Sequence, residues 1–136
     1  MELPERARAR RGAARRIFAA AVAAATPQAC MARALGVTGD RLRIGDAQVD
    51  LSRVSRLLVV GAGKAAASMA AAAEQILGER ISGGTVNTKY GHALPLRRLG
   101  CTECGHPVPD QAGVDGTMAM LAATAGLDPS AVVLCL

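Results

Sequence analysis

An α/β fold with a largely parallel sheet and flanking helices is predicted by three features of the 136-residue chain. Residues 57–60 and 131–136 are uninterrupted apolar runs, as expected of strands buried on both faces. Alanine-rich segments of helical length alternate with such runs. The first run passes through a glycine turn into a helix, the strand–turn–helix unit of a Rossmann-like domain. Composition agrees, since 51% hydrophobic and 20% charged residues describe a chain that folds. Alanine fills 29 positions and Phe18 and Tyr90 are the only aromatics, so the core is built from small aliphatic side chains.

Taken in order, residues 6–25 form a helix rich in alanine and arginine that ends at Thr26-Pro27. Residues 28–35 form a second, short helix with Gly36 as its C-cap. Residues 41–44 and 47–49 flank Gly45-Asp46 as a hairpin, and 50–56 connect it onward. The strand at 57–60 is followed by a helix over 65–77, closed by Gly78. A second strand covers 83–88, a loop 90–98 and a third strand 99–103. Two prolines keep 105–110 irregular. A helix over 111–126, a turn at Asp128-Pro129 and a strand over 131–136 complete the chain. This is one domain, 1–136, whose first 16 residues are a basic arm. The last strand is too apolar for an exposed edge, and ligands of open α/β sheets bind beyond the carboxyl ends of strands. A chain that stops there reads either as an edge strand at a natural terminus or, the expectation taken here, as an incomplete domain cut just before a functional loop.

The net charge of +5 is concentrated in the arm, where six arginines face only Glu2 and Glu5. It reads as a solvated helix face, with no nucleic-acid partner; a basic-armed binding module is the non-enzymatic alternative. The scarcity of aromatics excludes base-stacking surfaces. Residues 17–25 follow arginines as a signal sequence would, but they are mostly alanine, and glutamates precede them. No apolar run approaches the roughly 18 residues of a membrane span. The expected location is the cytoplasm, with no membrane partner.

Gly61-Ala-Gly63-Lys64-Ala-Ala66 carries the most information. Small residues at a strand-to-helix turn let backbone N–H groups approach an anion, and the helix N-terminus adds partial positive charge. A Walker A loop fails twice, with Leu58 in place of its first glycine and Ala65 in place of its hydroxyl. Gly61-x-Gly63-x-x-Ala66 satisfies a dinucleotide fingerprint, but the second strand ends Val86-Asn87-Thr88-Lys89, without the acid that binds ribose hydroxyls. The third reading gives Lys64 the leading part. It is one of two lysines against fourteen arginines, and a cation at this helix end opposes the helix dipole. A compact, mobile ammonium is what that choice supplies.

Leu58-Val-Val-Gly-Ala-Gly-Lys-Ala-Ala66, Ser82-Gly-Gly84, Thr88-Lys-Tyr-Gly-His92 and Gly105-His-Pro-Val-Pro-Asp110, in this order, resemble the N-terminal part of bacterial glycerate 2-kinases. That family also carries a C-terminal MOFRL region and is sometimes named hydroxypyruvate reductase. The resemblance spans roughly residues 10–136. It implies ATP-dependent phosphorylation of glycerate at its 2-hydroxyl, with magnesium, and implicates Lys64 in catalysis. ATP and glycerate are the implied partners, and a homo-oligomer is compatible with it. Family members continue into a Ser-Gly-Gly-Gly-Ser loop after the strand matched by 131–136. An NAD(P)-dependent hydroxypyruvate reductase, resting on Gly61, Gly63 and Ala66, is the alternative.

Gly61 and Gly63 are the phosphate-binding candidates, and His106 and Asp110 join them as substrate-binding candidates on a loop stiffened by Pro107 and Pro109. The same loop reads as a rigid turn in which Asp110 caps the next helix. His92 and Lys89 read as surface residues. Cys101 and Cys104 have zinc-like spacing but no second pair, and i, i+3 side chains in a strand point to opposite faces, so no metal site is expected.

Overall fold

The structure, a computed structural model, describes residues 4–136; Glu2 of the basic arm lies outside the described residues. Helices α1 (Glu5–Ala24) and α2 (Pro27–Ala34) come first. Helix α2 starts as its sequence dictates: Thr26 Oγ1 accepts from the Ala29 N–H at 3.3 Å, and Pro27 sits where a missing N–H costs nothing. Its end departs from the expected glycine cap. The chain passes directly into strand β1 (Leu35–Thr38), and Gly36 pairs with Arg43 of β2. Burial of Leu35 and Leu42 outweighs the tendency of Gly36 to end a helix. Strands β1, β2 (Arg41–Ile44) and β3 (Ala47–Asp50) make an antiparallel meander, which turns at Gly45 with φ of 57°.

The second sheet is parallel, in the order β6-β5-β4-β7. Its members are β4 (Leu57–Ala62), β5 (Gly83–Lys89), β6 (Gly100–Cys104) and β7 (Val132–Cys135). Helix α3 (Ala66–Leu77) joins β4 to β5, and α4 (Gln111–Thr124) joins β6 to β7. The predicted α/β class and parallel sheet are thus observed. Alanines 66, 70 and 73 let α3 lie close to the sheet, and they share one core with Leu57, Val59, Val86 and Leu134. Met31, Leu35 and Leu42 belong to the same cluster, so α2 and the meander are sealed onto α3. Roughly 1.5–3 kcal/mol accompanies each fully buried Leu or Val and about 0.8 kcal/mol each buried alanine methyl, so the few large residues carry the larger share per residue.

Strand β7 closes the other flank of the parallel sheet. It pairs with β4 alone and lies at the edge of the sheet. Leu134 is buried, whereas Val133 and Cys135 are exposed. An apolar sequence fills a strand's faces only where something packs on both, and among the described residues nothing covers the face that carries Val133 and Cys135. Helix α4 likewise leaves Val114, Met118 and Leu121 exposed along one stripe. Among the described residues, no single helix is long and apolar enough to cross a membrane.

Candidate functional site

The carboxyl ends of β4, β5 and β6 open into a cleft of about 520 Å³. Gly63 borders it after β4, Thr88 and Lys89 at the end of β5, and His106 in the loop after β6. The first two turns of α4 close it with Val114 and Met118. This is where an open parallel sheet places its ligands.

The turn after β4 separates the two predicted glycines. Gly61 is a buried strand residue, and a Cβ there would fall 2.9 Å from both Cβ and the carbonyl oxygen of Leu136. It permits close packing and does not line the cleft. Gly63 has φ of 138°, a conformation L side chains rarely adopt. Its N–H donates to the Asn87 carbonyl at 3.0 Å and its carbonyl accepts from Ala66 N–H at 3.1 Å, which ties the turn to β5 and to α3. Helix α3 begins with no side-chain cap, and its first amide is taken by Gly63, so the anion-attracting end of the helix is left without a side-chain partner. Lys64 is exposed, follows Gly63, and makes no hydrogen bond or ion pair among the described residues. It stands beside the cleft and is not one of its walls.

The 105–110 loop is built around Asp110. Its Oδ1 accepts from the Gly113 N–H at 3.0 Å, capping α4, and its Oδ2 accepts from the Tyr90 hydroxyl at 2.7 Å. The Gly105 N–H, the Tyr90 hydroxyl and the Gly113 N–H hold the Asp110 carboxyl below its ordinary range, and the same carboxylate raises the Tyr90 phenol. Asp110 therefore spends both oxygens inside the protein and does not line the cleft, whereas His106 is exposed on its wall. A Cβ on Gly105 would fall 2.4 Å from the Val108 carbonyl oxygen, so the loop is as tight as its prolines suggest.

Three determinants went unread in the sequence. Buried Asn87 donates from Nδ2 to the Gly113 carbonyl at 3.2 Å and to Thr117 Oγ1 at 3.5 Å, fastening α4 to β5. Its Oδ1 and the Thr88 Oγ1 are buried without a hydrogen-bond partner. Gly116 makes room for Asn87, since a Cβ there would lie 2.1 Å from Oδ1. The signal was an asparagine at a strand end followed by small residues at 113, 116 and 117, a spacing that shares one helix face. Glu103 Oε1 accepts from the N–H groups of His92 and Ala93 at 3.0 Å each, and these amides, Ala93 first, keep its carboxyl low. Glu74 of α3 accepts from three successive amides, Arg97, Arg98 and Leu99, at 2.7–3.0 Å. Burial pushes that carboxyl up, but the three amides outweigh it and hold it below its ordinary value.

Cys101 and Cys104 carry free thiols, and burial pushes the Cys101 thiol up. Among the described residues no group of three or more His, Cys, Asp or Glu is placed to hold a metal ion.

Residues 13–136 match the family described as a domain of unknown function, DUF4147. A protein of Agrobacterium vitis whose name carries the words hydroxypyruvate reductase is 39% identical over 122 residues, covering 90% of this chain and 25% of that protein. A glycerate 2-kinase of Pyrococcus horikoshii is 33% identical over 101 residues, covering 74% of this chain and 22% of that protein. A crystal structure of a Pyrococcus horikoshii protein superposes with a TM-score of 0.82 at 27% identity, covering 99% of this chain and 29% of that one. The chain spans about a quarter of the length of these curated relatives.

Proposed function

The chain belongs to the DUF4147 family, and from that premise we propose that it is the N-terminal part of a cytoplasmic glycerate 2-kinase, which transfers the terminal phosphoryl group of ATP to the 2-hydroxyl of glycerate. One observation carries the reading: β4 delivers an open glycine turn and an unpaired lysine to the mouth of a cleft, at the uncapped start of α3. Phosphoryl transfer is carried mostly by positioning and by neutralising charge on the transferred oxygens. Lys64 supplies that charge as a compact ammonium free of any competing carboxylate among the described residues. Gly63 keeps side chains away from the anion's path, and Gly61 sets the strand packing behind it. His106 offers a ring nitrogen to the bound nucleotide from the loop after β6, and Asp110 holds that loop. The described residues do not fit a magnesium site, so no step is assigned to the metal here; in this reading its ligands lie elsewhere in the whole enzyme.

The name of the Agrobacterium relative and the Gly61-x-Gly63-x-x-Ala66 spacing favour a second reading, hydride transfer from NAD(P)H to hydroxypyruvate. Strand β5, however, ends without the carboxylate that would take the ribose hydroxyls. The test assays the full-length protein with glycerate, ATP and magnesium, scoring ADP and 2-phosphoglycerate, and in parallel with hydroxypyruvate and NADH or NADPH. Phosphoryl transfer is expected. Hydride transfer in the absence of phosphoryl transfer overturns the kinase reading.

A further inference from the structure

We propose that the cleft takes the nucleoside half of the nucleotide, with the purine held between α4 and the 105–109 loop and the phosphates running out to the Gly63–Lys64 turn; this rests on the kinase reading above. The walls decide it. Ala62, Pro107, Pro109, Val114 and Met118 make the cleft mostly apolar. Val114 and Met118 are 52% and 59% exposed, large side chains on a helix with nothing of the described protein on them. Two prolines and an aliphatic helix stripe line the same cleft, apolar walls that suit a flat ring. At about 520 Å³ the cleft lies within the ordinary size range for small-molecule pockets.

Glycerate has the opposite chemistry. It is a small acid with polar atoms at every carbon, and it needs several donors close together. No arginine lines the cleft, and Lys89 and His106 are its only basic residues. The Thr88 hydroxyl, buried and without a partner, leaves unspent hydrogen-bonding capacity at the floor, where a purine edge has both donors and acceptors to offer. The acid substrate is left to the far side of the lysine turn, where the phosphoryl group must meet it.

The experiment replaces both apolar residues, Val114→Gln with Met118→Gln, in the full-length protein. Circular dichroism with thermal melting checks the fold, and the single variants Val114→Gln and Met118→Gln replace the pair if the double variant does not fold. Adenosine binding is measured by calorimetry, and KM for ATP and for glycerate by steady-state kinetics. The expected result is about tenfold weaker adenosine binding and a similar rise in KM for ATP, the loss of burial at two side chains, with KM for glycerate within twofold of wild type. A variant that binds adenosine like the wild type, a wild type with no saturable adenosine binding, or a rise confined to KM for glycerate overturns the proposal. A wild type that binds adenosine in a Val114- and Met118-dependent way but phosphorylates no glycerate upholds this cleft assignment and overturns the kinase reading instead.

Discussion

Gly116→Ala tests how tightly α4 is seated. A methyl at this buried position would lie 2.1 Å from Asn87 Oδ1 and 2.8 Å from its Cγ and Nδ2, where real contacts keep at least 3.0 Å. Asn87 cannot simply swing aside, because its Nδ2 is bonded to the Gly113 carbonyl one turn earlier in the same helix. Either that bond breaks or α4 retreats by about 1 Å. Overpacking of this kind costs roughly 1–3 kcal/mol, and alanine's better helix propensity returns at most about 1 kcal/mol. The net expectation is a loss of about 1–2 kcal/mol by urea denaturation. If the cleft is a nucleotide site, KM for ATP rises as well, since Val114 and Met118 ride on the displaced helix. Asn87→Ala in the Gly116→Ala background removes the colliding atoms, so the double variant should show a favourable coupling of about 1 kcal/mol or more. A single variant as stable as wild type, or a cycle with no coupling, would refute the reasoning.

Lys64→Ala should lower kcat about 100- to 1000-fold with KM little changed, and Lys64→Arg should rescue little of it. Stability should hold or rise slightly, because a cation leaves a helix N-terminus; a folded Lys64→Ala enzyme with most of its turnover removes Lys64 from the catalytic role. Glu74→Gln should cost about 1–2 kcal/mol at pH 7, after allowance for solvent screening of a partly exposed carboxylate. Because the folded pKa of Glu74 is depressed below 4.5, its contribution is complete above that value and fades as pH falls through the folded pKa. The gap between wild type and Glu74→Gln should therefore narrow in acid, and a gap that is flat from pH 7 to the acid limit contradicts the amide-nest account. Tyr90→Phe should raise the Asp110 pKa toward 3.8 while the Gly105 and Gly113 amides keep it below that value, as carboxyl-detected NMR titration would report.

The strands and helices around the site were legible because their signals are local and strong. The run at 57–60, the glycine turn and the alanine helix declare themselves, and Asp110 announces its cap by standing directly before α4. Strand β1 was not legible, since a glycine after a short helix is a stop signal unless a partner strand claims it, and Arg43 lies seven residues on. The place of β7 in the sheet is not legible for a related reason: apolar character records what a strand can bury, while edge or centre depends on neighbours that the strand itself does not encode. At the site, the resemblance named Lys64 as a candidate, but the residues that hold the cleft in shape were hidden. Glu74 meets amides more than twenty residues away, and Asn87 meets Gly116 across the sheet–helix interface. Such contacts exist only once the chain has folded.

The strand order also imposes a timetable on the ribosome. The meander closes through tight turns as it emerges, and β4 meets β5 as soon as α3 is made. The other flank of β4 must wait for β7, whose approach is marked by the bond from Ser55 to Asp128, 73 residues further on. At translation rates of about 5–20 residues per second, that flank stays unpaired for roughly 4–15 s. During that interval the nascent chain offers an apolar strand with an open row of backbone donors and acceptors, the kind of surface that holding chaperones bind. Slowing translation between codons 62 and 132 should lengthen its dependence on them.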